Sequence, residues 1–308
     1  MKAAAVSPPA VSQPAVLQRT TLAVRLADLW EMTKPGITFM VVLTAGLGFL
    51  LAQGPWFSGR LLFHTLLGTG LVSAGASVLN QVLERRTDAL MRRTANRPLP
   101  AERLDADAAL LYGVSVAIAG LADLALAVNL LTAALGGLAL VGYVFVYTPL
   151  KRRTELATVI GGIPGAIPPM MGWAAVRDTV DLPAWVLFGI LFFWQMPHFL
   201  AIAWLCREDY ARGGFPMLTV VDPSGSRAAR QTVLYGAALV PISLLPAVLG
   251  LMGTAYFAGA LLLGLGYLAA ALGFARALSD RGARRLMLAS LLYFPGLLLV
   301  MLLDRVLL

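Results

Sequence analysis

The chain has 308 residues, 59% of them hydrophobic and only 13% charged, with a formal net charge of +8. A soluble domain carries about a quarter charged residues, so this composition excludes a soluble enzyme and a disordered chain. The lone Cys206 excludes a disulfide scaffold, and the basic excess reads as membrane topology rather than as a nucleic-acid partner.

In chain order, residues 1–30 hold Pro8, Pro9 and Pro14 without a continuous apolar run of signal-peptide type. They read as a flexible cytoplasmic tail, ending in an amphipathic stretch over 22–32 that leads into Thr33-Lys34-Pro35. Residues 31–308 read as one transmembrane domain. A span needs about 20 apolar residues, and nine stretches qualify: 36–53, 61–79, 108–126, 129–147, 156–176, 184–204, 234–251, 256–274 and 286–304. The fifth contains Gly161, Gly162, Pro164, Gly165, Pro168 and Pro169, which allow close helix contact or a broken helix. Of the 24 Lys and Arg residues, all but Arg60, Arg177 and Arg305 fall in the tail and the even-numbered loops. That bias predicts a cytoplasmic N-terminus and an external C-terminus. The expected fold class is an all-α polytopic membrane protein with nine transmembrane helices. Two of the cytoplasmic loops, 80–107 and 205–233, are long enough to suggest a functional reason.

Three constellations carry chemistry. Asn80, Glu84 and Asp88 recur every four residues, and on a helix each step drifts only about 40°. They form an oxygen-bearing stripe expected to rise out of the membrane into water. Hard oxygen ligands in small number suit Mg²⁺, which completes its shell with water and phosphate oxygens, and flanking arginines suit phosphate. A solvated helix face with local Arg–Glu pairing is the competing reading. The second constellation is Tyr147-Thr148 with Lys151-Arg152-Arg153-Thr154, which alone reads as a positive-inside anchor beside anionic lipid. The third is Trp194 to Phe199 around His198, followed by Glu208-Asp209-Tyr210. An ionisable residue at membrane depth is a functional candidate, although a histidine bonded to a neighbouring helix is equally open. His64 and Cys206 read as packing residues, and Asp123 receives no role.

Asn80…Glu84…Asp88 with Arg93-Thr94 and Arg97-Pro98 resembles the first acidic motif of the UbiA-type intramembrane prenyltransferases. Thr33-Lys34-Pro35, Lys151-Arg152-Arg153-Thr154, Pro197-His198-Phe199, Glu208-Asp209-Tyr210 and Gly214-Phe215-Pro216-Met217-Leu218 together resemble the branch that farnesylates haem, the protohaem IX farnesyltransferases (haem O synthases). The resemblance runs from about residue 30 to the end of the chain. It implies nine helices around a central cavity open at the cytoplasmic face of the cell inner membrane. It also implies transfer of farnesyl from farnesyl diphosphate to a vinyl of haem b, giving haem O and diphosphate for terminal oxidases, with the proteins of that assembly route as partners. It further implies Mg²⁺ on Asn80, Glu84, Asp88 and Asp209, diphosphate on Arg93, Arg97, Lys151 and Arg152 with Lys151 catalytic, and haem at His198. Tyr147 and Trp194 are candidates to face the allylic cation. Two positions depart from the superfamily pattern: Glu84 stands where Asp is usual, and Asp209 has Gly213 where a second carboxylate is expected. A prenyltransferase acting on a quinone precursor and a non-catalytic transporter are the alternatives.

Overall fold

The computed structural model describes residues 22–54 and 57–307, with side chains through 304. Among these residues all regular structure is helical. In order the helices are α1 (Leu22–Met32), α2 (Pro35–Ala52), α3 (Gly59–Asp88), α4 (Ala106–Ala127), α5 (Leu130–Leu150) and α6 (Ala157–Arg177). There follow α7 (Leu182–Leu205), the short α8 (Arg207–Arg212) and α9 (Leu218–Val221), then α10 (Ser226–Val248), α11 (Thr254–Ala277) and α12 (Asp280–Leu307). Nine of them are long and apolar enough to cross a membrane, at the positions expected. Of the expected tail, residues 1–21 lie outside the described residues, whereas residues 22–30 are helical and held against the bundle through the buried Asp28.

Helix ends are set by local chemistry. The side chains of Ser58, Asp105 and Asn129 accept from the first free backbone N–H groups of α3, α4 and α5, which lack intrahelical partners. At α11 the cap comes from far away. Asp304, near the end of α12, accepts from the N–H groups of Gly253 and Tyr256 at 2.5 and 2.9 Å. Three helices outrun their apolar windows by six residues or more: α3 continues nine residues past 79, α10 begins eight residues before 234, and α12 begins six residues before 286. A hydropathy window stops at the first polar side chains, but the backbone ladder does not. Inside α5 the segment Gly142–Tyr147 forms one wide π-type turn. α6 is built of two pieces that meet before Pro168, since proline supplies no N–H and crowds the preceding turn.

Lipid rather than protein covers much of the apolar surface. Leu126, Leu130, Leu262 and Leu292 are 89, 76, 72 and 74% exposed. With lipid tails as apolar as leucine, close packing and polar contacts must join the helices. α3 packs along α4, α2 crosses the second half of α6, and α7, α10, α11 and α12 enclose the largest core cluster. The α2–α6 crossing is the tightest of these. A methyl on Gly172 would overlap the Ala45 carbonyl oxygen, and one on Gly48 the Pro169 carbonyl oxygen. Gly172→Ala is therefore expected to lose about 1–3 kcal/mol, the usual cost of overpacking. A lowered midpoint in thermal unfolding of the detergent-solubilised protein checks it, with Gly266→Ala, where added carbon meets nothing, as the silent control.

Candidate active site

Asn80, Glu84 and Asp88 do share one stripe of α3, but that stripe faces protein. They are 3, 2 and 1% exposed, so both the expectation of a water-facing stripe and the solvated-face reading are corrected. Each is met by a side chain from a different segment. Lys34 Nζ donates to Asn80 Oδ1 at 3.1 Å, and Asn80 Nδ2 donates to Thr148 Oγ1 at 3.0 Å. Lys151 Nζ sits 3.2 and 3.3 Å from the two Glu84 carboxylate oxygens. Arg97 Nη1 donates to Asp88 Oδ2 at 2.7 Å. Charges this far from water persist only when paired and hydrogen-bonded.

The supporting residues are local to each contributor. Thr94 Oγ1 donates to the Asp88 carbonyl and ties the turn after α3 to the stripe. The π-type turn ends at Tyr147, directly before Thr148 and Lys151, and the rings of Tyr143 and Tyr147 stack 5.6 Å apart. The Lys151 ammonium also lies 4.6 Å from the centre of the buried Phe215 ring, a cation–π contact that holds it without another anion. Lys34 is in the left-handed region at φ 49°, directly before Pro35, a conformation costing about 1–3 kcal/mol in a non-glycine residue. Burial, with Arg97 and Lys151 nearby, pushes the Lys34 ammonium down to about 7.

Asp209 joins less directly. From α8 its Oδ1 accepts from the Arg92 N–H at 3.1 Å and from the Arg212 guanidinium. Burial pulls its pKa up, but those hydrogen bonds, the Arg212 charge and a hydrogen bond from the Arg93 backbone together hold it below the usual carboxylate range. The loop after α3 thus touches both acidic motifs. Among the described residues, however, no three Asp, Glu, His or Cys side chains converge on one point. Arg93 is exposed. Arg152 is turned to another flank of α3, where it donates to the Leu83 carbonyl and the Thr87 hydroxyl. Burial pushes the Cys206 thiol up, as befits a packing residue.

The donor set suits a small hard dication. Asp88 Oδ1 is buried without a hydrogen-bond partner, and the stripe offers only amide and carboxylate oxygens. Such a site leaves most of a Mg²⁺ shell to water and phosphate. With Lys34 protonated, the cations Lys34, Arg97 and Lys151 outnumber the carboxylates Glu84 and Asp88, and the cluster then also favours an anion.

A sequence model of the UbiA prenyltransferase family matches residues 41–294. The chain belongs to that family. Among its relatives is a protoheme IX farnesyltransferase of Solibacter usitatus, 47% identical over 290 residues, an alignment covering 91% of this chain and 99% of the relative. Another of the same description, from Myxococcus xanthus, is 45% identical, with 91 and 95% covered. Among solved structures, one of digeranylgeranylglyceryl phosphate synthase matches with a TM-score of 0.77 at 15% identity, covering 92% of this chain and all of the other. A UbiA homolog from Archaeoglobus fulgidus bound to DMAPP and Mg²⁺ matches with a TM-score of 0.67 at 16% identity, covering 89 and 99%. These likenesses establish the fold. This UbiA-family chain is a multi-pass membrane prenyltransferase.

His198 stands apart from the acidic stripe in this UbiA chain. It lies in α7, seven residues before Leu205, or about 10 Å along the axis. Its ring stacks on Trp194 at 5.6 Å, and Nδ1 is 2.7 Å from Ser290 Oγ. The single Ser290 hydroxyl proton goes to the Met287 carbonyl at 2.5 Å. Nδ1 is then the donor, and Nε2 keeps its lone pair. His64, at the opposite end of the bundle, pairs with Asp123 at 2.8 Å between α3 and α4, an interhelical contact in line with a packing role.

Sequence reasoning gave no role to Lys34, which it counted as a topology charge and quoted within Thr33-Lys34-Pro35, nor to Thr148 and Phe215, which it named only as members of longer motifs. The one available signal was Pro35, which marks a helix start and a fixed backbone at Lys34. Glu84→Gln is expected to lower stability by about 3–5 kcal/mol, the cost of leaving one member of a buried ion pair alone. Adding Lys151→Met should restore most of the thermal midpoint but not turnover. A double mutant as unstable as Glu84→Gln alone would separate Lys151 from Glu84 energetically.

Proposed function

We propose that the chain transfers a farnesyl group from farnesyl diphosphate to a vinyl group of protohaem IX, releasing diphosphate. The observation that carries this reading is the buried cluster in which Lys34, Lys151 and Arg97 close over the α3 stripe. The relatives described as protoheme IX farnesyltransferases supply the donor and the acceptor.

Cleavage of the farnesyl C1–O bond leaves the electron pair on the departing diphosphate. Lys151 and Arg97, with Arg93 at the rim, donate charge-assisted hydrogen bonds to its oxygens. Asn80, Glu84 and Asp88, with Asp209 from the second motif, would hold Mg²⁺, which would supply positive charge where the leaving group develops negative charge. The Tyr143–Tyr147 stack lies beside Lys151 and offers π faces to the allylic cation at C1. The vinyl π pair then bonds to C1. The cation left on the vinyl carbon takes up water and loses a proton, leaving a hydroxyethylfarnesyl side chain. His198, with its free Nε2 lone pair, is the residue we assign to the haem iron. Arg152, directed at Leu83 and Thr87, is better placed to brace α3 than to clamp diphosphate. On the positive-inside bias we assign this motif-bearing face to the cytoplasm and the C-terminus to the outside, in a chain we assign to the cell inner membrane. The product there is at hand for terminal oxidase assembly.

The test is incubation of purified protein in lipid with haem b, farnesyl diphosphate and Mg²⁺, with mass analysis of the haem. The expected product is heavier than haem b by farnesyl plus hydroxyl. Replacing haem with an aromatic quinone precursor should give none. Losing one charge-assisted contact costs about 1.5–3 kcal/mol, so Lys151→Ala should cut kcat/KM for the donor by roughly tenfold to a hundredfold or more. Haem retention should be nearly unchanged in that variant. His198→Ala should do the reverse, lowering the Soret absorbance of bound haem while donor binding survives. An unmodified haem product with wild-type protein overturns the reading.

A further inference from the structure

We propose that Lys34 both binds the donor diphosphate and guards the metal-facing oxygen of Asn80, so that metal and diphosphate are taken up together rather than metal first. This rests on the prenyl-transfer reading above and adds a residue and an order of binding to it.

Four observations carry it. First, Lys34 is the odd cation of the cluster. Lys151 is committed to Glu84 and Arg97 to Asp88. Among the described residues Lys34 has no carboxylate at ion-pair distance and rests on a neutral amide oxygen, Asn80 Oδ1. An arriving anion can take this ammonium without breaking an ion pair.

Second, Asn80 cannot turn its oxygen away. Its Nδ2 donates to Thr148 Oγ1, whose own proton goes to the Tyr143 carbonyl at 2.8 Å. The oxygen that a hard cation would use is the one the ammonium covers.

Third, the backbone is shaped to deliver the lysine there. Residue 34 keeps a left-handed conformation before a proline, and its neighbours lock it. Gln81, next to Asn80 on α3, donates to the Met32 carbonyl at 2.7 Å, and Thr38 Oγ1 to the Thr33 carbonyl at 2.8 Å. Backbone strain held in place by its surroundings is a mark of a working position. The four-carbon stem lets the ammonium swing off Asn80 without any backbone motion.

Fourth, the charge balance opposes a metal that arrives alone. Lys34, when protonated, makes three cations with Arg97 and Lys151 against Glu84 and Asp88, and a dication would add to the excess. A diphosphate removes it, draws Lys34 to its own oxygens and frees Asn80 Oδ1 in one event.

The experiment uses the purified full chain in detergent, with Mn²⁺ as the metal and farnesyl thiodiphosphate as a slowly reacting donor. Free Mn²⁺ is read by electron paramagnetic resonance and donor binding by calorimetry. Lys34→Asn tolerates a left-handed backbone but is too short to reach Asn80, and Lys34→Met keeps the length without the charge. In both, Mn²⁺ alone should bind several-fold more tightly than in wild type. The donor with Mn²⁺ should bind about tenfold or more weakly, the effect of one lost charge-assisted contact. Lys34→Arg should hold donor affinity within a few-fold.

Opposite signs for metal and donor are the signature. Mn²⁺ binding that is unchanged or weaker in both variants overturns the guarding role, and unchanged donor binding overturns the contact. Parallel loss of both ligands with a lowered thermal midpoint also overturns the proposal, because it marks a structural lysine. If wild type itself fails to bind the donor, the prenyl-transfer reading falls rather than the assignment of Lys34 within it.

Discussion

A carboxylate at the rim of a lipid bilayer has two neighbours to choose from, water and protein, and in this chain Glu84 and Asp88 have been given protein. Both are almost fully buried at the end of a membrane-spanning helix, and isolated charge there is costly. Two separate segments answer it, the loop after α3 with Arg97 and the end of α5 with Lys151, while the α1–α2 junction sets Lys34 on the neighbouring Asn80. Much of the architecture on this face follows from that demand. Arg103 extends it outward, bonding Asp28 and Glu31 of α1, so the loop that carries Arg97 also grips the helix that precedes Lys34.

The same network fits the chemistry. A cluster that pairs two carboxylates with Arg97 and Lys151 and sets Lys34 beside them is biased toward an anion, and Asp88 keeps one buried oxygen unpartnered. Charge that stabilises the resting fold is therefore available, without large rearrangement, to a leaving group that becomes more negative as it departs. Electrostatic preorganisation of this kind is usually the largest contribution an enzyme makes to its rate. The acceptor side is arranged differently. His198 sits deeper, between Trp194 and Ser290, away from the ionic cluster.

How much of this was legible in the sequence depends on how local the determinant is. Nine spans were readable because crossing lipid demands a length and a composition that any window can measure, and the four-residue step of Asn80, Glu84 and Asp88 follows from the pitch of one helix. Their burial was not readable, because it is decided by Lys34, 46 residues from Asn80, and by Lys151, 67 residues from Glu84. The windows likewise lost the ends of α3 and α10, where polar side chains continue a helix that apolarity had stopped marking. Ser290 lies 92 residues from His198, and nothing in either neighbourhood announces the other. Asp209 was found by motif, yet its engagement with Arg92 and Arg212 shows a carboxylate tied to the loop rather than to the stripe.

The wide turn at Gly142–Tyr147 has an evolutionary consequence. Such a turn amounts to one extra residue wound into an ordinary helix. The turn absorbs that residue, so Thr148 and Lys151 keep the phase in which they meet Asn80 and Glu84. A length change that no wide turn absorbs would rotate every side chain beyond it by about 100°, carrying Thr148 away from Asn80 and Lys151 away from Glu84. Among homologues, a single-residue deletion within Gly-Tyr-Val-Phe-Val-Tyr should therefore appear together with loss of the wide turn, and elsewhere in α5 single-residue insertions and deletions should be rare.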